Sequence, residues 1–164
     1  MKKTVILGAG NELMKDEGVG VHVIRAMQAE WQTLNIDVEL IDSGTSTDLG
    51  HLAQGVDTLI IIDAVKGGCE PGTIYRFTAD RLASDTGITT SLHQVGIIES
   101  LRMMELTGGK PTQTVVIGIE PAEVDIGLEL SKEIKTLMPK IVQTVMEEIN
   151  PNYSANEIMN ETRV

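Results

Sequence analysis

Thr58-Leu59-Ile60-Ile61-Ile62-Asp63 is an unbroken apolar run that ends in a carboxylate. Because its apolar residues do not alternate with polar ones, the run must be buried on both faces, as in a central strand of a parallel sheet. Further strands flank it along the chain. Val5-Ile6-Leu7 is a second short apolar run, closed by Gly8-Ala9-Gly10. Thr114 to Ile119 is a third, Ile36 to Ile41 ends at Asp42-Ser43-Gly44, and Thr73 to Thr78 follows the turn signal Glu70-Pro71-Gly72. Helical periodicity fills the gaps. Val19, Val23, Ile24, Met27 and Trp31 predict a helix over 17–33, and a short one is expected over 46–53. A helix over 94–107 is stopped by Gly108-Gly109. The last helix is expected over 128–149, with a kink or break at Pro139, since an interior proline costs on the order of 3 kcal/mol. Strands alternating with helices give an α/β fold: a single three-layer domain over 1–150, its mostly parallel sheet sandwiched between helices. Residues 151–164 read as a flexible tail.

Composition narrows the function. The 164 residues carry 13 Lys and Arg against 24 Asp and Glu, a net charge of −11. That field repels phosphate backbones and anionic lipid, so neither nucleic acid nor membrane is expected as a partner. Trp31, Tyr75, Phe77 and Tyr153 are the only aromatic residues, too few for a base-stacking platform. Cys69 is the sole cysteine, which excludes an intrachain disulfide and a zinc knuckle. The apolar run after Lys3 stops at Gly8, too short for a secretory h-region, and no run reaches the roughly 18 residues of a membrane span. A cytoplasmic monomer is expected.

In such a sheet, ligands sit at the carboxyl ends of the strands. The loop after the first strand reads Gly8-Ala9-Gly10-Asn11-Glu12-Leu13-Met14-Lys15-Asp16-Glu17-Gly18-Val19-Gly20. Gly8, Gly10 and Asp42 resemble the start of a dinucleotide fingerprint, but Leu13 stands where the third glycine belongs. Asp16 and Glu17 would also repel a pyrophosphate at the helix start, by a few kcal/mol at ~4 Å and an effective dielectric near 20. The loop therefore suits a cation or a helix cap. Asp16 reads as an N-cap. Glu17 alone suits the helix dipole, but Asp63 ends the central strand and His93 lies just before a helix, so the three residues together are candidates for an open-sided metal site. Two carboxylates and an imidazole suit nickel, iron, zinc or manganese without choosing among them. The alternative for His93 is a capping or core histidine, and His22 and His51 read as solvated. There is no Gly-x-Ser-x-Gly elbow and no histidine near Cys69, so the thiol reads as buried or incidental. Hydrolysis here would need water activated by a metal or a carboxylate. Asp42 is the spare strand-end carboxylate, or else a turn-initiating one.

Taken in order, Gly8-Ala9-Gly10-Asn11 with Asp16-Glu17-Gly18-Val19-Gly20, then Asp42-Ser43-Gly44-Thr45, Asp63-Ala64-Val65 and Ser91-Leu92-His93 resemble the [NiFe]-hydrogenase maturation proteases. The resemblance covers about residues 3–149, and the first element is its most specific part. It departs at Ser43, where the family shows glycine. It implies a phosphorylase/hydrolase-like α/β fold and an endopeptidase that removes a C-terminal extension from the large-subunit precursor. It also implies that Glu17, Asp63 and His93 contact nickel carried by that precursor, so that the metal arrives with the substrate. Asp42 is then the expected water-orienting group. Two other readings stay open: a metal-checking chaperone that never cuts, using the same ligands, and a nucleotide-binding protein using Gly8, Gly10 and Asp42.

Overall fold

The computed structural model describes residues 2–30, 37–82, 92–151 and 153. Its strands are β1 Thr4–Ala9, β2 Val38–Gly44, β3 Thr58–Ala64, β4 Ile74–Thr78 and β5 Gln113–Ile119. They pack in the order β2-β1-β3-β5-β4, and every neighbouring pair runs parallel except β4 with β5. The helices are α1 Val19–Glu30, α2 Leu49–Leu52, α3 Ala79–Leu82, α4 Leu92–Thr107 and α5 Lys132–Ile149, and a single 3-10 turn, Lys15–Gly18, precedes α1. Trp31, Ile36, Ser91 and the stretch beyond Tyr153 lie outside the described residues.

The mostly parallel three-layer sandwich expected from the apolar pattern is present. Alternate residues of the central strand enter two separate cores. Leu59 and Ile61 pack with Leu49, Ile97 and Leu101 under α2 and α4. Ile60 and Ile62 pack with Ile24, Met27, Ile134 and Val145 under α1 and α5. β1 continues through α1 to β2 on one side, while β3 lies on its other side. The chain therefore reverses direction across the sheet between β1 and β3, and the crevice above their carboxyl ends is the switch point where α/β sheets bind ligands. Gly8 pairs in register with Asp42 on one side and Ile62 on the other.

Helix α1 sits very close to the sheet because of its glycines. A Cβ on Gly20 would lie 2.2 Å from the Ile62 carbonyl and 2.4 Å from that of Ala9. Gly8 of the first strand serves the same close packing, since a Cβ there would meet the Gly20 carbonyl. Helix α4 ends as its sequence predicts. Gly108 has a positive φ of 76°, and the Gly109 N–H donates to the Met104 carbonyl at 2.9 Å.

Two expectations for the last helix are corrected. It begins at Lys132, not near 128, because Ser131 caps it by accepting the Ile134 N–H. It also continues through Pro139, so the helix is not broken there. Pro139 and Lys135 both face solvent, so water can satisfy the Lys135 carbonyl that loses its donor. On either side, buried Ile134 and Ile141 hold both halves in one core. Among the described residues no helix is long and apolar enough to cross a membrane. Replacing Pro139 by Ala restores that helical donor and should raise unfolding stability by roughly 1–3 kcal/mol, read as a higher urea midpoint at unchanged m-value. An unchanged or lower midpoint would show that proline is accommodated without cost.

Candidate functional site

Asp16 is fully buried, and it is not the N-cap its position suggests. Its Oδ2 accepts the N–H groups of Ala122 (2.9 Å) and Glu123 (2.8 Å), and its Oδ1 accepts that of Ser131 (2.8 Å). Backbone bonds reinforce the clasp: Lys15 N–H to Gly127 O at 2.9 Å, Gly127 N–H to Leu13 O at 2.9 Å, and Asp16 N–H to Glu123 O at 3.2 Å. Lys15 and Glu123 add an ion pair. The turn carrying Glu17 is thereby fastened to the segment that follows β5.

Asp63 sits at the end of β3 and is 3% exposed. Its Oδ1 accepts the Ala64 N–H at 2.8 Å, while its Oδ2 is buried without a hydrogen-bond partner. Burial pushes the carboxyl up to about 7 from 3.8; the Ala64 amide opposes the rise and the nearby Glu17 carboxylate adds to it. Glu17 is half-buried. Gly10 separates the two: a Cβ there would lie 1.9 Å from the Glu17 carbonyl and 3.5 Å from Asp63 Oδ1. Gly10 thus lets the Glu17 backbone pack tightly against the loop after β1, and the Glu17 carboxylate lies near enough to Asp63 to raise it. His93 lies in the first turn of α4, and its side chain is outside the described residues. Among the described residues no three His, Cys, Asp or Glu side chains converge on one point. The donor chemistry nevertheless suits a cation, because the orphaned oxygen of Asp63 is otherwise relieved only by holding a proton.

Asp42 is placed differently. It is two strands from Asp63, about 10 Å across the sheet. Its Oδ1 accepts the Gly44 N–H at 3.0 Å, the turn-initiating geometry, and its Oδ2 lies 3.4 Å from Arg25, which also holds Glu12 at 2.7 Å. Ser43 keeps an ordinary backbone and donates its hydroxyl to the Gly8 carbonyl at 3.1 Å, while Gly44 takes the positive φ of 52°. His51 is exposed as expected. His22 is not solvated: it is half-buried, and its Nε2 is buried without a partner. Burial there pushes the imidazole toward its neutral form. The Cys69 thiol is free and exposed, so it is not a buried one.

One strand-end carboxylate was missed by sequence reasoning. Glu120 is 8% exposed and directly follows β5. Its Oε2 accepts the Gly67 N–H at 2.6 Å and the Tyr75 hydroxyl at 2.7 Å. It borders an open depression of about 440 Å³ formed by Lys66–Gly68 and Glu120–Ala122 with Val124. The available signal was the one that marked Asp63, a carboxylate directly after an apolar strand.

The chain matches the model of the hydrogenase maturation protease family over residues 21–148. It is 37% identical to the hydrogenase expression/formation protein HoxM of Cupriavidus necator, over 85% of this chain and 70% of that one. It is 34% identical to the corresponding HupD of Thiocapsa roseopersicina, over 87% of this chain and 66% of that one, so it spans just under two thirds of that relative. Among solved structures it is similar to the [NiFe] hydrogenase maturation protease HybD from Thermococcus kodakarensis, with 30% identity and a TM-score of 0.74, covering 92% of this chain and all of that one. It is also similar to the hydrogenase maturating endopeptidase HybD from E. coli, with 25% identity and a TM-score of 0.79, covering 92% and 93%.

Asp16→Asn sets an NH2 group against backbone donors. It should cost on the order of 3 kcal/mol in urea unfolding, and a loss below about 1 kcal/mol would contradict the clasp. Asp63 gives a pH signature in chelator-treated protein. Below the ordinary carboxylate range both states hold the proton. Between there and about 7 the unfolded chain ionises and the fold does not, so stability falls as pH rises and levels off above 7. Asp63→Asn removes that slope, so the variant's Tm should gain on the parent's from pH 4 to 7. A gap that stays constant with pH would contradict the raised carboxyl.

Proposed function

This chain belongs to the hydrogenase maturation protease family, and on that premise we propose that it is an endopeptidase that removes a C-terminal extension from the precursor of a [NiFe]-hydrogenase large subunit. In this reading nickel is part of the substrate and not a resident cofactor. Glu17, Asp63 and His93 read the metal in the precursor and hold the tail that follows it.

The observation that carries the reading is the buried, unpartnered Oδ2 of Asp63 beside a second carboxylate. Two carboxylates held together in a poorly solvated crevice repel each other until a cation arrives. The interaction is therefore worth most with a metal-loaded precursor and least with an empty one, which gives the checkpoint a physical basis. The borderline donor set suits nickel, and the open side leaves room for ligands from the precursor.

For the hydrolytic step the described residues offer carboxylates and no nucleophile–base pair. We assign water orientation to Asp42, whose Oδ2 is held only by a 3.4 Å contact to Arg25 and can swing to a water. The water's oxygen adds to the scissile carbonyl and its proton passes to the carboxylate. The C–N bond then breaks as the leaving nitrogen is protonated.

Glu17→Gln and His93→Ala should each fold normally, with an unchanged Tm, yet slow processing of a nickel-loaded precursor at least tenfold. Asp42→Asn should lower the single-turnover rate while leaving precursor binding intact. Processing at the parental rate by the first two variants would remove the ligand assignment, and by the third the role of Asp42. Nickel-dependent binding with no cleavage by the parent protein would make it a metal-checking chaperone instead.

A further inference from the structure

Glu120 is more than nine-tenths buried, yet only half of its carboxylate is satisfied. Both of its donors, the Gly67 amide and the Tyr75 hydroxyl, go to Oε2. No described group donates to Oε1, which solvent reaches, and Glu120 lines the depression between the 66–68 and 120–122 segments. A carboxylate oxygen left open in this way is free to accept an N–H or O–H donor from outside the fold.

The surroundings are built to hold that oxygen in place. Tyr75 reaches Glu120 beneath the 66–69 loop, and its Oη also accepts the Cys69 N–H at 3.3 Å. Only glycine fits at 67, since a Cβ there would lie 2.5 Å from the Tyr75 hydroxyl. On the opposite wall the Ala122 and Glu123 amides are pinned by Asp16. Both walls are therefore fixed before any ligand arrives, and much of their surface is main chain and small residues. Lys66 stands at the rim, exposed and without an anionic partner among the described residues. An acceptor on the floor and a cation at the rim complement a peptide main chain, whose N–H groups and carbonyls alternate. At about 440 Å³ the space falls within the roughly 300–1,000 Å³ of ligand clefts and suits a few extended residues.

Its place relative to Asp63 indicates which peptide. Asp63 pairs with Gly118, and Glu120 lies two residues further along the same face, one strand over. That puts the depression's floor about 8 Å from Asp63, the length of two to three peptide residues. We propose that this depression is the seat of the C-terminal extension of the precursor, with Glu120 Oε1 accepting one of its main-chain N–H groups and Lys66 facing its carbonyl or carboxylate oxygens. The proposal rests on the protease reading above and adds where the departing peptide lies. Glu120 and Tyr75 are then positioning residues.

The test uses Lys66→Glu and Ala122→Leu, which reverse the rim charge and fill the space without touching Glu120 or Tyr75. With a nickel-loaded precursor carrying its full extension, each should raise KM about tenfold and leave kcat within about twofold. With a precursor trimmed to one residue beyond the scissile bond, the parent protein should show the same rise in KM and the variants no further one. Parental KM values for both variants on the full precursor would overturn the seat while leaving the protease reading intact. A variant penalty that persists on the trimmed precursor would overturn it equally. If the parent protein cuts neither precursor, the protease reading fails. The seat is then judged by fluorescence anisotropy of a labelled extension peptide, bound by the parent and at least tenfold more weakly by Lys66→Glu if the seat is right. Equal binding, or none, would overturn it.

Discussion

One buried carboxylate organises the functional edge of this protein. Asp16 accepts backbone N–H groups from residues 106, 107 and 115 positions further along the chain. Charge-assisted hydrogen bonds of this kind are short and strong, and leaving one partner unmatched in the interior is costly. Several parts of the crevice inherit their position from that clasp. Glu17 is the next residue, Ala122 lines the depression, and Ser131 is the residue that caps α5.

Four carboxylates at or near strand ends differ in what satisfies them, and their roles follow from that difference. Asp16 is saturated by amides and acts as a fastener. Asp42 is exposed, turned into its own loop and lightly paired with Arg25. Asp63 is buried with one oxygen orphaned, which makes its ionised form costly. Glu120 is buried with one oxygen doubly bonded and the other open to the depression. Environment, not residue type, assigns these acids their tasks. The sheet supplies the common geometry, since its switch point lies between β1 and β3, and Gly10 lets the backbone at Glu17 pack closely beside the end of β3.

How much was legible beforehand depends on range. The sheet was readable because both faces of Leu59–Ile62 are buried, and that demand is written in consecutive residues. Glu17 and Asp63 were readable because a carboxylate beside a glycine-rich loop or directly after an apolar strand needs a partner. Asp16 was misread as a local cap, because its true partners are over a hundred residues away and are backbone amides, which leave no mark on composition. Glu120 carries the same local signal as Asp63, but the partners that bury it, Gly67 and Tyr75, lie 53 and 45 residues away in the chain. The unbroken course of α5 through Pro139 was hidden for a related reason. Tertiary packing of Ile134 and Ile141 outweighs a local penalty that falls on the solvent side.

The central claim is that the Glu17–Asp63 crevice recognises a cation delivered by the substrate. The most direct measurement is intact-mass spectrometry of a [NiFe]-hydrogenase large-subunit precursor after incubation with this protein, with nickel loaded and with nickel withheld. The account predicts loss of a C-terminal peptide in the loaded sample alone. Equal cleavage of both samples would contradict it, because the paired carboxylates would then have no part in deciding which precursor is cut.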